Sequence, residues 1–168
     1  LIFSLEMPRK QILKRMVQVV SGANLRQIQE GVISDANMKK VNEATDEVAE
    51  LPFYTVHTAR NPQDIISQAR NYVRKHGVKL VVIDYLQLIP WSSKANSKAE
   101  GIADISHKVK QLALELNVSV ILLSQVNREG AKREGGLAIY DLKDSGDIEN
   151  DADVIILMWS EKDDIEMS

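Results

Sequence analysis

The chain has no cysteine in its 168 residues. That excludes disulfides, thiolate metal centres and zinc ribbons, and it fits a reducing cytoplasm. Aromatic residues make up only 5% of the chain, so any grip on nucleic acid falls on the phosphate backbone rather than on stacked bases. No apolar run reaches the roughly 20 residues of a membrane span, and the amino terminus shows no cleavable signal pattern. Net charge is −3 and the pI is near 5.7, so contact with nucleic acid has to be local. Also absent is GxxxxGK[ST], and with it the backbone cradle, the phosphate lysine and the magnesium hydroxyl that this loop supplies.

What the chain does have is a set of short apolar runs that end in polar side chains. Leu80, Val81, Val82 and Ile83 run without polar alternation into Asp84, which predicts a parallel strand buried on both faces. Its carboxylate then sits at the carboxyl edge of the sheet, where open α/β folds bind ligands. Two roles fit Asp84 taken alone: holding hydrated Mg²⁺ of a nucleoside triphosphate, or capping the loop that follows. LIFSLE ends similarly in Glu6, and VSVILLSQVNR, from Val118, ends in Ser124 and Gln125. ADVIILMW, from Ala152, predicts a further strand. Parallel pairing would bring Glu, Asp and Gln to one edge. Nucleotide hydrolysis needs such groups: a carboxylate to polarise water, another to hold magnesium, and an amide for the γ-phosphate or the water.

FSLEM at Phe3 to Met7, IDYLQL at Ile83 to Leu88, LLSQVNR at Leu122 to Arg128 and DLKDSGDIENDAD at Asp141 to Asp153 occur in the order of a known family. Together they resemble the motor domain of DnaB-type replicative helicases. The resemblance spans nearly the whole chain. It implies an α/β fold with a RecA-like P-loop NTPase core, a mainly parallel sheet flanked by helices, with residues 1–168 forming part of one motor domain truncated at both ends. In that family the P-loop lies upstream of the FSLEM strand, and a downstream lysine and arginine reach the neighbouring subunit's site. These residues alone are therefore expected not to turn over ATP.

By the same resemblance, Glu6 is the catalytic base, Asp84 the magnesium-holding Walker B aspartate, and Gln125 the sensor that links nucleotide state to the DNA loops. Lys143, Asp144 and Gly146 would line the DNA channel. The implied cofactors are ATP and Mg²⁺. The implied partners are single-stranded DNA, five further copies in a homohexamer, a primase and a helicase loader, all in the cytoplasm. Two positions depart from the family pattern, which usually has arginine at Lys143 and serine at Asp147. A lysine still pairs with phosphate, as a point charge, whereas Asp147 adds negative charge beside the proposed DNA site.

Residues outside these motifs add two candidates. Arg128, Lys132, Arg133 and Lys143 gather around Gly130, Gly135 and Gly136, and glycines let a loop backbone approach phosphate. An ordinary charged surface loop has the same composition. Arg15 falls about two and a half turns into the helix after Glu6, close enough to cover a nucleotide base, or else solvated opposite the apolar face. The histidines His57, His76 and His107 are scattered and read as structural or solvated.

Periodicity predicts helices over Pro8 to Val20, from Ser34 or Asp35 to Ala49, Gln63 to His76 and Lys98 to Leu116, with a strand at Phe53 to His57. WSSKANSKAE reads as a loop. Strand and helix alternate, so the sheet should be largely parallel. A recombinase or clock-type ATPase of the RecA superfamily, or a non-hydrolysing module, are the alternative functions; DYLQL and DLKDSG favour the helicase.

Overall fold

In a computed structural model of the chain, four strands pair in parallel in the order β2-β1-β3-β4. They are β1 (Ile2–Ser4), β2 (Thr55–Val56), β3 (Leu80–Asp84) and β4 (Ser119–Leu122). The structure describes residues 1–24, 26–27, 30–59, 61–91, 95, 97–127, 136–142 and 146–159. Parallel neighbours need a crossover between them. The helices α1 (Arg9–Ser21), α2 (Asp35–Glu50), α3 (Pro62–His76) and α4 (Lys98–Leu116) lie in those connections, and α5 (Gly146–Asp151) follows β4.

Helix limits follow from local chemistry. Ser34, Asn61 and Ser97 each accept a hydrogen bond from the backbone N–H three residues on, satisfying a donor the first turn leaves free. Pro62 occupies the start of α3, where its missing N–H costs nothing. Pro8 sits one place earlier than the sequence suggested, as the N-cap of α1 rather than its first residue. Gly77 ends α3 at φ 64°, a left-handed conformation that an L side chain resists.

The core lies on one face of the sheet. Phe3, Val81 and Ile83 point into it, fully buried, and meet Ile65 and Ala69 of α3 and Ile102, Ile105 and Leu112 of α4. Arg70 of α3 clamps Glu115 of α4 with both prongs of its guanidinium, at 2.8 and 2.6 Å. Those hydrogen bonds hold the Glu115 carboxyl below its ordinary range and raise Arg70.

The expectation that β3 is buried on both faces needs correcting. Its burial alternates: Val81 and Ile83 are buried, Val82 is half-buried and Leu80 is 43% exposed. Helices α1 and α2 pack chiefly against each other and leave the second face thinly covered among the described residues. Nor is the run from Ala152 a strand. Val154, Ile156 and Met158 are exposed, and no described strand pairs with them. β4 likewise pairs only with β3 among the described residues, and Ile121 is 51% exposed. An apolar run forms a strand only where a ladder partner is available to its backbone.

Among the described glycines, Gly101 of α4 has the closest neighbour. A methyl group there would overlap the ring of Trp91, so the absence of a side chain is what lets the indole lie on the helix. Gly101→Ala should therefore destabilise the intact protein by about 1–3 kcal/mol and shift tryptophan emission to the red. Denaturant titration followed by fluorescence measures both, and unchanged stability with unchanged emission would contradict this packing.

Candidate functional site

The register of the sheet determines what meets at its carboxyl edge. Ser4 pairs with Asp84, and Ile83 pairs with Leu122. The main chain continues these pairings beyond the strands: Leu5 N–H donates to the Asp84 carbonyl at 2.9 Å, and Leu123 N–H to the Ile83 carbonyl at 3.0 Å. Glu6 therefore leaves the sheet two residues past Ser4, the partner of Asp84, and Gln125 three residues past Leu122, the partner of Ile83. Asp84 lies between them, on the central strand of the three.

All three side chains have free heads. Glu6 and Gln125 are exposed and Asp84 is half-buried, and among the described residues none has a side-chain hydrogen bond or ion pair. What is fixed is the backbone beneath them. The buried Ser4 hydroxyl accepts from Met7 N–H at 3.2 Å and donates to the Met7 carbonyl at 2.8 Å, closing the turn that presents Glu6. His57, just past β2, reaches the Ser4 carbonyl with Nδ1 at 3.1 Å. A carbonyl can only accept, so that nitrogen carries the proton. β3 leaves the sheet through a cis Asp84–Tyr85 peptide bond into a 3₁₀ turn at Leu86–Leu88.

Gln87 in that turn is a site residue to which sequence reasoning assigned no role. Its Oε1 accepts from Gln125 N–H at 3.1 Å, and its Nε2 donates to Ser124 Oγ at 2.9 Å and to the Gln125 carbonyl at 3.4 Å. Ser4 and His57 were missed similarly. For Ser4 and Gln87 the available signal was their place within FSLEM and IDYLQL, and for His57 only its place at the end of a strand; their hydrogen bonds depend on register, which the sequence does not state.

Arg15 lies on α1 with its side chain along a cleft lined by Met7, Ile12, Met16, Val19 and Val20. The wall is wholly apolar, so Arg15 contributes its aliphatic stem to it. Gly146 is the exposed first residue of α5. Arg128, Lys132, Arg133, Lys143 and Asp144 lie outside the described residues. The chain leading into and out of that region is well tied: Val126 bridges Leu142 in antiparallel fashion and Asn127 N–H donates to the Asp141 carbonyl at 2.8 Å. Lys110 to Asp153, at 2.6 Å, and His107 to Asp151, at 3.4 Å, link α4 to the end of α5 and the residues just after it.

A divalent cation is compatible with this edge. Among the described residues no three His, Asp or Glu side chains gather into a cage. Mg²⁺ does not require one, since it keeps most of its water and takes one or two carboxylates together with phosphate oxygens. A half-buried Asp84, without a side-chain partner among the described residues, with Glu6 just past the end of the neighbouring strand suits that demand.

Known proteins share this sequence and this arrangement. The model of the DnaB-like helicase C terminal domain matches residues 1–167. The replicative DNA helicase DnaB of Rickettsia bellii is 34% identical over 162 residues, which cover 95% of this chain and 32% of that protein. That of Buchnera aphidicola is 35% identical over 166 residues, covering 96% and 36%. The chain thus spans about a third of the length of these curated relatives. A solved DnaB-like replicative helicase, described with its interactions with primase, superposes with a TM-score of 0.83 at 32% identity, covering 90% of this chain and 38% of that one. With a match along residues 1–167 and the same RecA-like fold, the chain belongs to the family of DnaB-like helicase C-terminal domains.

Proposed function

We propose that this chain is part of the motor domain of a replicative DNA helicase, a ring of six copies that couples ATP hydrolysis to movement along single-stranded DNA and to duplex unwinding. The observation that supports it best is the set of three polar heads, Glu6, Asp84 and Gln125, at or just past the carboxyl ends of adjacent parallel strands and without a side-chain partner among the described residues. Glu6 is the base that takes the proton of the attacking water on a carboxylate oxygen. Asp84 holds Mg²⁺, which when bound offsets the phosphate charge. Gln125 contacts the γ-phosphate and reports its presence to the segment that follows. Arg15 covers the base, with the apolar cleft of α1 beside it.

GxxxxGK[ST] does not occur in these 168 residues. The phosphate cradle is accordingly assigned to a segment corresponding to the part of its relatives' length that this chain does not span, and turnover to a molecule that contains it. Arg128, Lys132, Arg133 and Lys143 grip the DNA backbone, with Asp144 and Gly146 in the same channel wall. Few contacts per copy are enough when six copies surround one strand. Primase is a partner by analogy with the solved relative described with primase, and a helicase loader by the family resemblance. Among the described residues no helix is long and apolar enough to cross a membrane, and a cytoplasmic setting is part of the same proposal.

Glu6→Gln in the full-length protein should lower ATP turnover by at least about a hundredfold with little change in nucleotide affinity. Asp84→Asn should weaken Mg²⁺-dependent nucleotide binding as well. Steady-state ATPase and a fluorescent-nucleotide titration separate the two effects, and turnover of Glu6→Gln within twofold of wild type would remove Glu6 from the role of base.

Neutralising a cation that pairs with phosphate should weaken single-strand binding alike for every sequence. Lys143→Ala is expected to have the largest effect and to flatten the salt dependence by about 0.7 for each phosphate no longer neutralised. Fluorescence anisotropy across a salt series tests this. Weaker binding to some base compositions only, at an unchanged salt slope, would mean that the segment reads bases.

A further inference from the structure

The polar contacts that join β3 to the end of β4 do not stop with the sheet. The main-chain ladder runs from Ile83 through Leu123, whose carbonyl accepts from Leu86 N–H at 2.9 Å. Two residues further on, the neighbour of Gln125 is a side chain. The Gln87 amide faces both the N–H and the C=O of Gln125, as a strand neighbour would, and adds the Ser124 hydroxyl. The turn carrying Gln87 is anchored by Leu86 and Ile89, both fully buried on its two sides. Gln87 is thus a half-buried group on a rigid base, three residues from Asp84, bonded to the peptide units of a residue that is otherwise exposed.

On the other side of Gln125 the chain enters its second set of fixed contacts, Val126 with Leu142 and Asn127 with Asp141. These frame the stretch that contains Arg128, Lys132 and Arg133. Gln125 is therefore a joint between the Asp84 turn and the foot of the basic segment, and among the described residues its N–H and C=O are both met by the Gln87 amide, with the Ser124 hydroxyl also donating to the C=O at 3.5 Å.

We infer that Gln87 is a positioning residue for coupling: by clamping the Gln125 backbone it sets the direction of the Gln125 side chain and passes changes at the Asp84 edge to the foot of the basic segment. This rests on the helicase reading above and deepens it. An amide suits the task because it presents a donor and an acceptor at once, matching a peptide unit. Coupling between two sites amounts to a difference in free energy between arrangements, and a clamp on a joint they share is where that difference can be transmitted.

The test uses full-length wild type, Gln87→Ala, Gln87→Met, Gln125→Ala and the Gln87→Ala/Gln125→Ala double variant. ATPase is measured with and without an oligothymidine strand, and each variant's melting temperature is recorded. Gln87→Met keeps the length of the side chain and removes its hydrogen-bonding atoms, so it serves if the alanine variant folds poorly. The ratio of stimulated to basal rate should fall roughly tenfold in the Gln87 variants. The double variant should have a ratio no lower than that of Gln125→Ala, since both changes act through one residue. A Gln87→Met protein whose two rates drop by the same factor, or reductions that multiply in the double variant, would overturn the coupling role. Wild type with no stimulation by DNA would overturn the helicase reading and this inference with it.

Discussion

The central strand β3 is the constraint on which the site depends. It pairs with β1 on one side and β4 on the other, and its last two residues set the height of both neighbours, Asp84 opposite Ser4 and Ile83 opposite Leu122. Shifting either pairing by one residue would turn Phe3 or Leu122 to the opposite face and move Glu6 or Gln125 by about 3.3 Å. The buried contacts of Phe3, Val81 and Ile83 with α3 and α4 resist such a slip. The same apolar packing that stabilises the domain therefore fixes the relative heights of three polar groups that it never touches.

Much of this was legible in the sequence because it depends on near neighbours. Asn61-Pro62 before an apolar period and Gly77 after it define α3 almost to the residue, and LVVID reads as a strand wherever it is placed. The parallel direction of the sheet followed from strands separated by helices. One reading failed, and one strand is less covered than its composition suggests, for a common reason. The run from Ala152 was as apolar as LVVI, and β4 as apolar as β3, yet Val154, Ile156 and Ile121 are exposed. Hydrophobicity measures readiness to be covered. Which backbone or helix does the covering depends on the rest of the assembly, and the described residues offer those segments no second neighbour.

The candidate site divides in the same way. Glu6, Asp84 and Gln125 could be proposed from the sequence because each ends an apolar run, a pattern visible along one dimension. Ser4, His57 and Gln87 could not, because their significance lies in what they touch across the fold: Met7 for the first, the Ser4 carbonyl for the second, Gln125 for the third. Gln87 stood within a quoted motif and still had no assigned role, since only the register places it opposite Gln125.

This division has a physical basis. A group that must meet water, metal or phosphate loses its function if a protein partner already saturates it, so its head has to stay free. Its position still has to be held to fractions of an ångström for the chemistry to work. The fold suits both demands by placing the hydrogen bonds one step back, on the peptide units and turns beneath the candidate heads. The Ser4 hydroxyl spans Met7's donor and acceptor, and the Gln87 amide spans those of Gln125, each with one short side chain. Both devices sit at a strand's end, where the ladder runs out and the backbone would otherwise be free to swing. At this edge, order in the main chain is what allows the side chains to remain available.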